Sequence, residues 1–336
     1  MAPAGSRFPG GRPGYAGADP TPGQRGHAVR DAGYDAVIIG AGPAGLTTAL
    51  VLGRSRRSAL VIDGGAGRNS TAAGVHGLLA CDGMNPDALR AAGREQLAEY
   101  PEVRLREGRV RSVDGDRGEF IVSFEDGRSV KARRIVLATG VIEDLPGIAG
   151  LAERWGKSVL GCPYCHAWEF RDRPLAVLAT EGRQDAMFAA QLTRWSQDVT
   201  LCANGFPLSA EDEALLGERA VHVRREPVRS VEGPEDEVER VTFREGDPVE
   251  CAAVFLHATT RQADPLAGEL GCVLQDDGTV RIDDVGFTGV PGVFAAGDLA
   301  RRESCPPGMT FVVTAAAMGF VTATAVDHEL FQEELD

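Results

Sequence analysis

The chain has 336 residues, enough for about two domains, and its 43% hydrophobic and 25% charged residues are ordinary for a protein with a sizeable core. Lys and Arg number 35 against 49 Asp and Glu, a formal net charge of −14, so no basic field is available to displace phosphate counterions; nucleic acid is excluded as the main partner and anionic membrane surfaces are disfavoured. No apolar run is long enough to span a bilayer and the amino terminus lacks a hydrophobic signal core, which predicts a cytoplasmic protein.

Residues 1–30, rich in Pro and Gly and without apolar periodicity, are expected to form a disordered tail. A strand is predicted over Tyr34–Ile39, then a glycine turn, a helix over Pro43–Leu52, and a second strand, Ala59–Ile62, that ends at Asp63. That order is the start of a βαβ unit. A helix over Pro86–Glu99 has Asn85 as its cap, short strands follow within Val103–Val113 and Glu119–Phe124, and an apolar strand, Arg134–Leu137, leads into Ala138-Thr139-Gly140. After Pro146-Gly147 a second βαβ-like run is predicted: strand Leu175–Ala179, helix Asp185–Trp195, strand Asp198–Cys202. Further strands are expected near Val221–Val223, Val238–Phe243, Ala253–Leu256 and Gly292–Ala296, and a long apolar helix over Thr310–Leu330.

Gly40-Ala41-Gly42-Pro43-Ala44-Gly45 lies between the first strand and the first helix, the context a dinucleotide loop requires. Its glycines permit the tight turn, the approach of backbone to a pyrophosphate and close helix–strand packing. Asp63, at the end of the next strand, is placed to accept from an adenosine ribose hydroxyl. These residues point to a dinucleotide and leave FAD and NAD both open.

Cys162-Pro163-Tyr164-Cys165-His166 is the other sharp feature. Two cysteines at this spacing in an α/β protein read as a reversible dithiol, and an imidazole directly after the second thiol can move protons during exchange. A structural zinc site is disfavoured because the other five cysteines are scattered, a c-type haem site because no export signal is visible; a buried pair with a satisfied histidine is the bland alternative. No metal is expected.

With both features in hand, the chain resembles the low-molecular-weight thioredoxin reductase family of flavoproteins, over about residues 34–328. The resemblance rests on Gly40–Gly45, on Ile135-Val136-Leu137-Ala138-Thr139-Gly140, on the cysteine pair and on Gly292-Val293-Phe294-Ala295-Ala296-Gly297-Asp298. It implies two Rossmann-like dinucleotide-binding domains, the second inserted in the first: residues 31–145 and 261–336 forming the FAD-binding domain and residues 146–260 a central domain. It further implies FAD as cofactor, held at Gly40, Gly42, Pro43, Ala44, Gly45, Asp63, Thr139, Gly140, Gly297, Asp298 and Thr310, and a homodimer. Cys165 resembles the thiol that lies against the flavin and Cys162 the thiol that exchanges with substrate.

The family's reductases carry an aspartate where His166 stands. The string through Glu169 is closer to the dithiol oxidases of gliotoxin- and holomycin-type disulfide natural-product pathways, where biosynthesis and self-resistance are the associated roles. The second nucleotide loop, Thr180-Glu181-Gly182-Arg183-Gln184-Asp185, has one glycine and a carboxylate close to incoming phosphates, and Ala203-Asn204-Gly205 offers no basic pair for a 2′-phosphate, with Arg183 left as a cation that could compensate. The reading is therefore an FAD-dependent oxidase of a small-molecule dithiol with oxygen as acceptor and hydrogen peroxide as by-product. An NADPH-dependent thioredoxin or disulfide reductase is the alternative, and a non-catalytic flavin-binding protein a third class. Trp168 and Phe170 are expected in the substrate cleft or in packing beneath it, His76 in a surface loop or facing the flavin, His257 in a structural role, and Cys305 as a free thiol.

Overall fold

The computed structural model describes residues 33–180 and 183–336. The predicted tail, and Glu181, Gly182 and the Arg183 side chain of the second loop, lie outside what is described. Residues 33–336 form one compact unit.

Strands β1 (Tyr34–Ile39) and β2 (Ala59–Asp63) flank helix α1 (Pro43–Arg54) in the chain. Helix α2 (Pro86–Leu97) follows, started by Asn85, whose side chain accepts from the Asp87 and Ala88 N–H groups. Then come β3 (Val103–Glu107), β4 (Val110–Asp114), β5 (Phe120–Phe124), β6 (Ser129–Leu137) and β7 (Val141–Asp144). The middle of the chain supplies β8 (Val159–Leu160), α3 (Pro163–His166), β9 (Leu175–Leu178), α4 (Arg183–Leu192), β10 (Val199–Cys202) and α5 (Ala210–Glu218). It continues through β11 (His222–Arg224), β12 (Val228–Glu232), β13 (Arg240–Phe243), β14 (Val249–Glu250), β15 (Ala253–Phe255) and β16 (Thr259–Gln262). The last elements are α6 (Leu266–Glu269), β17 (Val280–Ile282), β18 (Val293–Ala295), β19 (Ala300–Arg302) and α7 (Val312–Leu335).

The first large sheet has the order β3-β2-β1-β6-β5-β4, with β18 beside the end of β6. β1, β2, the end of β6 and β18 run parallel and are buried on both faces, which explains their continuous apolar sequence. The alternation of strand side chains divides two cores. Val37, Ile39, Leu60, Ile62, Ile135 and Leu137 meet Phe120 and Val293 on one face, while Ala36, Ile38, Val61 and Val136 meet α1 and α7 on the other.

Helix α7 crosses α1 closely: the Thr48 hydroxyl donates to the Gly319 carbonyl at 3.1 Å, and a Cβ at Gly319 would lie 2.2 Å from the Ala44 oxygen. The fully buried Arg134 guanidinium of β6 donates to Glu329 and Glu333 of α7 at 2.5 Å each. Removing both glutamates would strand the buried guanidinium, so this contact holds the terminal helix to the sheet.

The second sheet, β11-β10-β9-β15-β8, is wholly parallel. Leu175, Val177 and Leu201 pack with Phe188 of α4 on one face, and Ala176, Leu178 and Val254 pack on the other against the antiparallel β12-β13-β14. The chain enters and leaves this half through β7 and β16, which pair with each other antiparallel. Neither of these strands was predicted. The mixed α/β architecture with two Rossmann-type sheets is as the sequence led one to expect.

Candidate active site and dinucleotide cleft

The first nucleotide loop is shaped by exclusion. Gly40 has φ +116°, and a Cβ there would sit 2.1 Å from the Ala138 oxygen; at Gly45 it would sit 1.9 Å from the Gly40 oxygen. Neither position admits a side chain. Gly42 differs, because nothing lies within 4 Å of the place its Cβ would take. That open space faces the start of α1, where Pro43 is the first helical residue and the free N–H groups of a first turn point outward. Gly297 comes against this loop, its hypothetical Cβ 2.9 Å from that of Ala44, so the two ends of the chain build one site.

Beside the loop, the Thr139 hydroxyl is buried without a hydrogen-bond partner, and open space surrounds the Cβ position of Gly140. Asp63 is buried at the end of β2, its carboxylate accepting from the Gly65 N–H at 2.9 Å and from Arg94 Nε at 3.0 Å. A cleft of about 440 Å³ opens there, lined by Asp63, Gly65, Arg90, Arg94 and Glu107. Arg90 and Arg94 stand one turn apart on α2 and line this end of the cleft with Asp63 and Glu107, a feature sequence reasoning missed although their i, i+4 spacing marks a common face. The Nε of Arg90 is buried and unpaired.

Asp298 accepts from Arg68 Nη1 at 2.8 Å, and Glu143 accepts from Arg68 Nε at 2.6 Å. Burial alone would lower the pKa of Arg68, but these two carboxylates outweigh it and raise it. Neither Arg68 nor Glu143 was anticipated. Thr310 is half-buried two residues before α7, whose Ala315 Cβ approaches the Gly297 position to 4.0 Å.

A disulfide joins Cys162 and Cys165, both half-buried. Cys162 precedes the single turn of α3, and its Sγ accepts from the Cys165 N–H at 3.1 Å. A backbone donor at this distance stabilises a Cys162 thiolate once the bond opens. Tyr164 and Trp168 remain about 60% exposed on either side of Cys165. Tyr164 is fixed by a hydrogen bond from Gln191 and an edge contact with Trp195, and Arg171 lies 4.2 Å over Trp168. Phe170 packs into the core of the second sheet instead.

Burial, helped by the charge of His76, pushes His166 down to about 4, so its imidazole is neutral at neutral pH. His76 is not an isolated surface residue: its ring meets that of His166 edge to face, with centroids 6.3 Å apart. His257 stacks on Phe188 at 4.2 Å, a packing role. Burial drives the Cys202 thiol up to about 12 and raises those of Cys251 and Cys272, leaving inert sulfurs away from the disulfide, while Cys305 is a half-buried free thiol. Among the described residues no cluster of three or more metal-ligating side chains occurs, and no helix is long and apolar enough to cross a membrane.

A Cys-x-x-Cys disulfide and a glycine-shaped nucleotide loop in one chain define a dinucleotide-dependent disulfide oxidoreductase. Residues 34–319 match the pyridine nucleotide-disulphide oxidoreductase family, and the chain belongs to it. It is 31% identical to a probable thioredoxin reductase of Arthroderma benhamiae, over 90% of this chain and 82% of that one. It is 34% identical to the thioredoxin reductase tcpT of Claviceps purpurea, over 82% and 90%. The crystal structure of HlmI superposes with a TM-score of 0.84 at 37% identity, covering 90% of this chain and 94% of that one. The resemblance to thioredoxin reductases read from the sequence is thus borne out, and the protein is a thioredoxin reductase-like oxidoreductase.

Its cofactor is FAD, and the residues present fit that group: the space at Gly42 suits a pyrophosphate, the orphaned Thr139 hydroxyl lacks only a polar partner, and the Asp63 carboxylate in the cleft suits a ribose hydroxyl.

Proposed function

We propose that the protein is an FAD-dependent dithiol oxidase that closes an intramolecular disulfide in a small-molecule dithiol of the disulfide natural-product class. Oxygen is the acceptor and hydrogen peroxide the by-product. The observation that carries the reading is the second nucleotide loop. Asp185 is buried in the first turn of α4, and its Oδ2 accepts from the Thr180 N–H at 3.0 Å. A phosphate would need that same donor and would meet the carboxylate. At the end of β10, Asn204 is tied to the Val228 N–H at 2.8 Å, and the nearby Arg224 and Arg225 are already paired with Glu226 and Glu213. No unengaged cation is left among these to hold a 2′-phosphate.

In the reaction one substrate thiolate attacks Cys162 Sγ, the Cys162–Cys165 bond breaks, and the electron pair leaves on Cys165 Sγ. The second substrate thiol closes the product ring and expels Cys162 as a thiolate, which the Cys165 N–H stabilises. FAD, when bound, accepts the electron pair of the enzyme dithiol and delivers it to oxygen. His166 handles the thiol protons, and Tyr164 and Trp168 give the disulfide an apolar, aromatic approach that suits a compact uncharged dithiol. The proposal includes residues 31–145 and 261–336 as the FAD-binding part, residues 146–260 as the central part, a homodimer, and a cytoplasmic site of action.

The test is a panel of reduced dithiols scored for oxygen uptake beside anaerobic addition of NADPH. Substrate-dependent oxygen uptake is expected, with slow flavin bleaching by NADPH; rapid bleaching by NADPH without reaction of reduced flavin with oxygen would establish the reductase alternative that the relatives' names suggest. Cys165→Ser is expected to trap substrate as a mixed disulfide at Cys162, and Cys162→Ser to trap none. The opposite pattern would reverse the two roles.

A further inference from the structure

The loop 75–84 is folded back on itself: the Val75 N–H donates to the Met84 oxygen at 2.8 Å and the Gly83 N–H to the Val75 oxygen at 2.7 Å. The turn brings Asp82 Oδ1 to 3.6 Å from Nδ1 of His76, and the same carboxylate accepts from the Gly77 N–H at 2.8 Å. From the segment after α3, Glu169 reaches His76 from the other side, Oε1 to Nε2 at 3.6 Å. His166 presents its ring edge to face from the same segment. Both nitrogens of one imidazole therefore face carboxylates, and a second imidazole packs edge to face against it, ring centroids 6.3 Å apart. The His76 side chain is 21% exposed, while Asp82 at 69% and Glu169 at 39% reach solvent.

Resting on the oxidase reading, we propose that His76 is the second member of a two-imidazole proton relay: His166 takes the proton of an attacking substrate thiol and His76 carries it on to water, with Asp82 and Glu169 holding the charge in transit. The thiol loses H⁺ to an imidazole nitrogen of His166, its sulfur forms the bond to Cys162 Sγ, and the electron pair of the old disulfide goes to Cys165 Sγ. The proton then crosses to His76 and leaves by the carboxylate-lined, solvent-facing edge. Such a second station is needed because His166 lies in a setting that disfavours a retained positive charge. His76, with a carboxylate oxygen 3.6 Å from each ring nitrogen, places counter-ions that reach solvent beside the transferred proton. Asp82 itself is held ionised, its pKa lowered chiefly by the Gly77 N–H and also by His76. His76 acts through His166 and is a positioning and relay residue for the exchange step.

The test uses the FAD-loaded full chain carrying His76→Gln, with Asp82→Asn as a milder second variant. Two readouts are taken. In rapid mixing with 1,4-dithiothreitol as probe dithiol, His76→Gln is expected to slow anaerobic flavin reduction on the order of tenfold at neutral pH and to move the acid limb of its pH profile to higher pH, with reoxidation by oxygen unchanged. In a histidine ring-proton NMR titration of the oxidised protein, the same variant is expected to move the His166 midpoint upward, because the charge that opposes its protonation is gone. An unchanged pH profile, or a His166 midpoint that stays put, would overturn the relay. If dithiols failed to reduce even the wild-type flavin while NADPH did so, the oxidase reading would fall by itself. The titration would still decide whether the two imidazoles are coupled.

Discussion

In the first sheet β1 runs through Gly40–Gly45 into α1; in the second, β9 runs through Thr180 to Asp185 into α4. Both loops join a buried parallel strand to a helix, the place where α/β folds bind phosphates. In the first, glycines that cannot carry a side chain clear a space above Gly42. In the second, a buried carboxylate already accepts a loop N–H. The same strand-to-helix topology thus carries an open backbone face at Gly42 in one half and, in the other, a Thr180 N–H claimed by the Asp185 side chain.

The largest test of that contrast separates geometry from ligand room within the first loop. Gly45→Ala drives its Cβ into the Gly40 oxygen and is expected to lose more than about 3 kcal/mol of stability together with FAD. Gly42 has φ −79° and ψ −176°, which any residue adopts, so Gly42→Leu should fold with stability within about 1 kcal/mol of the wild type yet bind FAD on the order of a hundredfold more weakly. Denaturation of the apoprotein and FAD titration by fluorescence read the two effects. If Gly42→Leu retained FAD normally, the space above Gly42 would not be the pyrophosphate site.

The second loop can be challenged by giving it back its neutrality. Asp185→Asn keeps an acceptor for the Thr180 N–H and removes the charge. The expected gain in NADPH affinity is about fivefold, the effect of relieving roughly 1 kcal/mol of like-charge repulsion. Equilibrium binding of NADPH to the oxidised protein measures it. Tight binding by the wild type, unaltered in the variant, would show that Asp185 does not close the loop to nucleotides.

The contrast between the loops also explains what could be read in advance. Gly40, Gly42 and Gly45 announce themselves because their requirement is local: a positive φ, a free backbone face and a close packing contact within six residues. The cysteine pair does so for the same reason. Arg68 and Asp298 lie 230 positions apart, and Arg94 meets Asp63 across 31, so only the folded sheet order brings them together. β7 and β16 are four-residue strands with little apolar signal, and each exists because the other is there to pair with it. His76 carried no pattern of its own; Asp82 is near in sequence, but Glu169 and His166 reach it from the cysteine segment. Helix ends drifted by two to five residues, α4 stopping at Leu192 and α7 running from Val312 to Leu335, because the last turns are decided by contacts that no short window contains.

Where the cysteine segment meets the loop of the first half, the buried His166 has a smaller and purely thermodynamic consequence. Its folded-state pKa is lowered from 6.5 to about 4, first by burial and then by the charge of His76. In the unfolded chain the same imidazole takes a proton at its ordinary value near 6.5. Between those values the unfolded state binds the extra proton, so stability rises with pH across the window and is lost as pH falls through it. Below about 4 both states are protonated and the dependence ends. At pH near 4.5 the accumulated loss from this one group is on the order of 2 kcal/mol. Urea unfolding of the oxidised wild type should therefore show a steeper drop between neutral pH and about 4.5 than that of His166→Gln, which cannot titrate. Other groups contribute equally to both proteins, so the difference isolates His166. Identical slopes would mean that the imidazole is as well solvated in the folded chain as in the unfolded one, and the segment bearing the disulfide would then not be packed against the first half in the manner described.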